Sequence, residues 1–134
     1  MGDDEFLAAL ESCTLCERDF GHAAHVRAAY LYSRSTDFAA ALTKIRGAIR
    51  AYAASLGKAD RYHETITVAF LALIRQRLYE HGDGGNWEGF SQSNPDMLQR
   101  DLLLRFYPQR QLESEFARRI FLLPLSPARP PFCG

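Results

Sequence analysis

The sequence has few lysines, no excess of charge of either sign and no long apolar run. Only two of its 16 basic residues are lysines, and 16 acidic residues balance them to a formal net charge of zero. Without a net positive field to attract phosphates, we expect no nucleic-acid partner and no binding to an anionic membrane surface. The longest apolar stretches, such as IFLLPL at 120–125, are too short to span a bilayer.

Cysteine is also scarce, with Cys13, Cys16 and Cys133 as the three examples. An odd number argues against a disulfide framework, and the acidic start MGDDEFLAALESC lacks the basic region of a secretory leader, so we expect a cytoplasmic protein. The CTLC stretch at 13–16 has no second cysteine pair to complete a zinc ribbon and no preceding strand typical of a redox motif. We interpret these cysteines as structural, ahead of a metal or redox role.

Apolar residues recur at helical spacing along almost the whole chain. A length of 134 residues suits one domain. We therefore predict an all-α, compact single-domain bundle of five or six helices over 1–123, followed by a proline-rich tail over 124–134. The predicted helices cover approximately 3–12, 21–33, 37–56, 60–81, 95–106 and 111–121.

The stretch FGHAAHVR at 20–27 places two of the four histidines on one helical turn. In a helix, His22 and His25 lie about 60° apart around the axis, so both imidazoles can reach one point. Two neutral imidazoles are half of a site for a divalent metal such as Fe, Mn or Zn, with His63 as the predicted third ligand. The alternative is that one histidine packs or caps while the other is exposed.

The stretch YHETIT at 62–67 begins the predicted fourth helix. There His63 and Glu64 can supply a general acid and base, and Thr67 lies one turn after His63 on the same face. These three residues are the predicted catalytic group. The alternatives are that Glu64 is an acidic residue favoured near a helix start, and that the threonines bond to the preceding turn.

Arginines near these motifs can clamp the carboxylate or phosphate of a small-molecule ligand. We predict Arg27, which follows the histidine pair, and Arg118, in the last helix, as ligand-binding residues together with Tyr62. The competing interpretation for each arginine alone is a solvated or salt-bridged surface position.

The two motifs together resemble a pattern in a group of small, largely uncharacterised bacterial all-helical proteins. That pattern is F-x-H-x-x-H-[VL]-R-x-A followed by Y-H-x-T-x-T, and the similarity extends from the first helix to about residue 118. The matching positions are Phe20, His22, His25, Val26, Arg27, Ala29, Tyr62, His63, Thr65 and Thr67. The resemblance implies that the two motifs belong together, and it implies no particular activity.

Three hypotheses follow from the sequence. The first is a metal-dependent enzyme acting on a small molecule. The second is a metal-free ligand-binding module or enzyme, in which the histidines bond a polar or acidic ligand. The third is a non-catalytic protein whose histidines and threonines form a buried hydrogen-bond network. The sequence makes no prediction of oligomeric state.

Overall fold

The computed structural model describes residues 1–125, and within that range the chain forms helices and turns but no strand. The all-α prediction is confirmed, and the number of helices is larger than the predicted five or six. Most of the predicted tail lies outside the described residues. The α-helices in 1–125 are α1 Asp3–Glu11, α2 His22–Ser35, α3 Phe38–Ser55, α4 Glu64–His81, α5 Trp87–Ser93, α6 Gln109–Leu112 and α7 Glu115–Arg119. Short 3₁₀ helices cover Glu17–Asp19, Ala59–Arg61, Pro95–Leu98 and Leu102–Arg105.

None of the helices in the described range is both long enough and apolar enough to cross a bilayer.

Helix α3 forms where the sequence has its most regular apolar stripe. The Asp37 carboxylate accepts a hydrogen bond from the Ala40 backbone N–H at 2.8 Å, which caps the first turn. Ile45 and Tyr52 of the stripe are buried, and beyond the last turn Gly57 takes a left-handed φ of 71°. Glycine adopts this conformation without steric cost, so it lets the chain reverse towards α4.

Helix α2 lies in the middle of the bundle, packed against α3 and α4. Its second half, 28–33, is buried on all sides although it contains two tyrosines and a serine. The tyrosine hydroxyls reach partners at the edge of the core, since Tyr30 donates to the Asp83 carbonyl at 2.7 Å and Tyr32 donates to the Glu11 carboxylate. A buried tyrosine is tolerated when its hydroxyl is bonded in this way.

The loop after α5 is fixed to α4 by an arginine. Arg77 donates to both carboxylate oxygens of Asp96, at 3.0 and 2.7 Å, and to the Asn94 side-chain oxygen at 2.8 Å. This bidentate pair is only about a quarter exposed on each side. Such planar pairing constrains orientation as well as distance, so it sets where the 3₁₀ turn Pro95–Leu98 lies beside α2.

The predicted helix over 95–106 is wrong. The chain there forms two 3₁₀ helices separated by a turn at 99–101. Over a few residues, an apolar spacing of three fits a 3₁₀ turn as well as an α-helix, so the pattern alone did not distinguish them. The break exposes Arg100 beside the start of α2, where a continuous helix would not have placed it.

The predicted helix over 111–121 is also shorter and divided. It consists of α6 and α7, and the Ser114 hydroxyl between them accepts from the Ala117 backbone N–H at 3.0 Å. Serine side chains compete with helical backbone bonds in this manner and start a new helix. After Arg119 the backbone is extended at Ile120, and residues 121–125 form no helix or strand.

Candidate ligand-binding cleft

The two histidine motifs meet at one cleft with a volume of about 490 Å³. It lies between the start of α2, the end of α3 and the start of α4, and we call it the histidine cleft. Of the residues predicted from the sequence, those that line it are His22, His25, Tyr62, His63 and Thr67. The fold thus brings together two motifs that are far apart in the chain.

His22 lies at the first position of α2 and bonds across the cleft wall. Its Nε2 is 3.0 Å from the carbonyl oxygen of Met97. A carbonyl only accepts, so Nε2 carries the proton and Nδ1 retains its lone pair. The ring packs edge-on against Phe70 at 4.9 Å between centroids. Burial lowers the pKa of His22 below its ordinary value, which favours the neutral imidazole.

His25 is different, because its ring nitrogens make no hydrogen bond with any residue of 1–125, and neither nitrogen is sealed inside the protein. Its ring stacks on Phe20 at 4.2 Å between centroids. Burial lowers the pKa of His25 to about 4, and the nearby His22 and Arg100 act in the same direction. At neutral pH the side chain is therefore an uncharged imidazole that offers one donor and one acceptor to the cleft.

His63 has both ring nitrogens occupied by backbone groups. Nδ1 accepts from the Ile66 N–H at 3.1 Å, as the N-cap of α4, so Nε2 carries the proton and donates to the Leu112 carbonyl at 2.7 Å. In this arrangement the predicted third metal ligand has no available lone pair. Within residues 1–125 no three His, Cys, Asp or Glu side chains are grouped so as to hold a metal ion. The metal site of His22, His25 and His63 stays a prediction, and it requires His63 to release at least one of its two backbone partners.

The two threonines of YHETIT contact different parts of the structure. Thr67 lines the histidine cleft and donates to the His63 carbonyl at 2.8 Å, one turn back. Thr65 is completely buried and faces the C-terminal segment, where it donates to the Ile120 carbonyl at 2.8 Å and accepts from the Leu122 N–H at 3.1 Å. Thr65 of this motif therefore holds the C-terminal segment in place, while Thr67 lies at the cleft.

Two further buried or half-buried side chains complete that anchor. The Tyr107 hydroxyl donates to the Leu122 carbonyl at 2.7 Å. The Gln111 amide donates to the Leu123 carbonyl at 2.9 Å and accepts from the Leu125 N–H at 3.0 Å. We call His63, Thr65, Tyr107 and Gln111 the C-terminal anchor, because each of these side chains binds backbone between Leu112 and Leu125.

Glu64 does not line the histidine cleft. Its Oε1 accepts from the Tyr62 hydroxyl at 2.6 Å and from Arg46 Nε at 3.0 Å, in a neighbouring groove that also contains Arg118. Burial and the Glu64 carboxylate raise the pKa of Tyr62 to about 12. Tyr62 lines both the groove and the histidine cleft, whereas Glu64 and Arg46 line only the groove. Of these three residues, Tyr62 is therefore the one that can contact a ligand in the cleft.

The two predicted ligand-binding arginines lie outside the histidine cleft. Arg27 donates to the Asp3 carboxylate at 2.7 Å and to the Met1 carbonyl at 3.0 Å, which ties α1 to α2. Arg118 pairs with Glu115 one turn earlier in α7, with Nε at 2.9 Å. Arg118 makes the salt-bridged surface contact that the sequence left open as the alternative. Arg27 is salt-bridged too, but its side chain is only 18% exposed and its Nε is buried without a partner in 1–125.

The sequence reasoning missed most of the cleft's other walls. Its rim carries the basic residues Lys58, Arg61 and Arg100, and its interior is largely apolar and aromatic, with Phe20, Ile49, Tyr52, Leu56, Ile66 and Phe70. Phe20 belongs to the FGH stretch, and that adjacency was an available signal. No sequence signal pointed to Arg100, because the sequence predicted a continuous helix where the structure has a turn.

Comparison of the chain with protein-family models, with curated proteins and with solved structures finds no match.

Proposed function

We propose that the histidine cleft binds a small organic molecule directly, without a metal ion. The observation that carries this proposal is the imidazole of His25, which is half-buried and neutral, faces the cleft and has no partner among residues 1–125. A neutral imidazole that is open to the cleft offers one donor and one acceptor that the described chain does not use. A ligand that accepts or donates at His25 can bind these two atoms.

The dimensions and lining of the cleft support the same proposal. Its volume of about 490 Å³ lies in the range that small-molecule sites occupy. Apolar walls with a few convergent polar groups are typical of such sites. The polar groups here are the two imidazoles, the Thr67 hydroxyl and the Tyr62 hydroxyl.

A thermal-shift screen against a panel of small metabolites, with a chelator present throughout, tests the proposal. We expect at least one compound to raise the melting temperature of the protein. The rise should be lost in Ala53→Phe, because Ala53 lines the cleft, and kept in Ala51→Phe, which adds the same side chain at an exposed site of α3. A rise that is unchanged in Ala53→Phe, or no rise at all, refutes binding in the cleft.

An enzyme at the same cleft is the second candidate. The lone pair of His22 Nδ1 and the unpartnered ring of His25 favour it, since they can hold a proton or two coordination positions of Fe, Mn or Zn. Ligand stabilisation that disappears on addition of chelator supports the metal-dependent form over direct binding. Turnover lost in His25→Gln with ligand affinity retained supports acid–base chemistry by His25 without metal.

A further inference from the structure

The rim and the interior of the histidine cleft differ in chemistry. Among its lining residues three basic side chains are opposed by one acidic side chain, Glu17. Glu17 is already paired with Lys58. Arg61 and Arg100 make no salt bridge with any residue of 1–125, although Arg61 is one of the charges that lower the pKa of Glu17. With three basic side chains and one acidic side chain, the lining keeps a net positive charge.

Helix α2 adds to the positive potential at the same place. Its N-cap is Gly21, which has no side chain to bond the first backbone N–H groups, and Gly21 itself lines the cleft. The amino end of a helix carries a partial positive charge and favours anions. The two arginines and the helix end line the same cleft, although they come from three separate parts of the chain.

The interior is an aromatic wall. Phe20 stacks on His25 and meets Tyr52 edge-on at 4.7 Å between centroids, while His22 meets Phe70 edge-on. Tyr52 is fixed in place because its hydroxyl donates to the Leu15 carbonyl at 2.7 Å. Tyr52 and Phe70 are buried, whereas Phe20 and His25 are partly exposed. The accessible part of the wall is therefore the Phe20–His25 stack, against which a planar ring can pack.

From this division we propose that the ligand is a planar aromatic molecule carrying one anionic group, a carboxylate, sulfonate or phosphate. The ring system lies against the aromatic wall and the anion lies at the rim, between Arg61 and Arg100. His25, at the boundary, bonds a polar atom next to the ring. This assignment rests on the proposed function and specifies which class of small molecule the cleft takes.

A matched pair of fluorescent probes tests the assignment. 8-Anilinonaphthalene-1-sulfonate and N-phenyl-1-naphthylamine have the same ring system, with and without the anionic group. We expect the sulfonate to bind about tenfold more tightly at low ionic strength, as charge-assisted contacts at exposed arginines allow. Added salt should reduce the difference, because screening weakens exposed charges. Competition by 2-naphthoate and by 1-naphthyl phosphate distinguishes a carboxylate from a phosphate preference.

Substitutions at the rim and in the interior test which residues bind the sulfonate and which bind the ring system. Arg61→Gln combined with Arg100→Gln should lower the sulfonate affinity about tenfold and leave the neutral probe unchanged. Arg110→Gln is the control, because Arg110 is exposed and does not line the cleft. Ala53→Phe should abolish binding of both probes, and Ala51→Phe should not.

The outcomes separate this inference from the proposed function. One outcome overturns the anionic class and leaves the cleft as a binding site. In that outcome the two probes bind with equal affinity, the double arginine variant has no effect, and Ala53→Phe abolishes binding. No binding of either probe, or binding that Ala53→Phe leaves intact, overturns the aromatic anionic class. The proposed function is overturned separately, by the metabolite screen.

Discussion

The histidine cleft and the C-terminal anchor both include residues at the start of α4, but they differ in how their polar atoms are hydrogen-bonded. In the anchor, both nitrogens of His63 and the hydroxyl of Thr65 are bonded to backbone at 2.7–3.1 Å. In the cleft, His25 has no bond within 1–125 and His22 uses only one nitrogen. Buried groups that are bonded to backbone fix a structure, whereas polar groups that are open to a cleft stay available to a ligand.

The comparison assigns different roles to the two motifs. YHETIT supplies the anchor through His63 and Thr65 and only part of the cleft wall through Tyr62 and Thr67. FGHAAHVR supplies the imidazoles that are free to meet a ligand. Three experiments test this division, and they are ordered here by the size of the expected effect.

The largest effect is expected on acidification. In the folded protein His25 has a pKa of about 4, against an ordinary value of 6.5. Between these values the unfolded chain binds the proton more readily, so stability falls as the pH is lowered through this window. Full passage costs about 3 kcal/mol, and roughly two thirds of it is expected by pH 5. Urea unfolding at pH 7 and pH 5 measures the loss.

The His25→Gln variant is the control for that measurement. Glutamine does not titrate, so the variant should lose less stability than the parent protein between the same pH values, although His22 and the carboxylates still contribute. At pH 7 it should be less stable than the parent by about 1 kcal/mol, because the stacking on Phe20 is lost although no hydrogen bond within the described chain is removed. Identical acid losses in the two proteins contradict the buried, neutral state of His25.

The second effect is expected from Thr65→Val. Valine fills nearly the same space but leaves the Ile120 carbonyl and the Leu122 N–H without their partner. Stability should fall by about 2 kcal/mol. Amide hydrogen exchange should accelerate at Leu122 more than at residues of α3. Thr43→Val is the matched control, since Thr43 bonds its own preceding turn on an exposed face of α3, and it should change stability by less than about 0.5 kcal/mol.

The smallest effect is expected from His63→Ala, which removes the N-cap of α4 and the bond to Leu112. Loss of an N-cap costs about 1 kcal/mol. His63→Asn should recover part of it, because asparagine retains a capping acceptor but is too short to reach Leu112. His81→Ala, at the exposed end of α4, should be nearly neutral. A loss of ligand binding with full stability in His63→Ala would place this histidine in the cleft's chemistry and weaken the comparison.

The sequence could predict only part of the site, because several of its contacts join residues that are far apart in the chain. The spacing of His22 and His25 predicted two imidazoles on one helical face, and in the structure both line the cleft together with Tyr62, His63 and Thr67 of YHETIT. The bonding of each side chain could not be inferred. Whether His63 has a free nitrogen depends on Leu112, which is 49 positions away in sequence, and α6 brings it there only in the folded chain.

The sequence by itself determined the helical class and the boundaries of α3 and α4 to within a few residues, because apolar periodicity and caps act over one or two turns. The tertiary structure decided which polar groups are satisfied, which arginines face the cleft and where the short helices break. Arg27 and Arg118 pair with carboxylates outside the cleft, whereas Arg61 and Arg100 line the cleft. Their difference arises from contacts between elements, which no local pattern encodes.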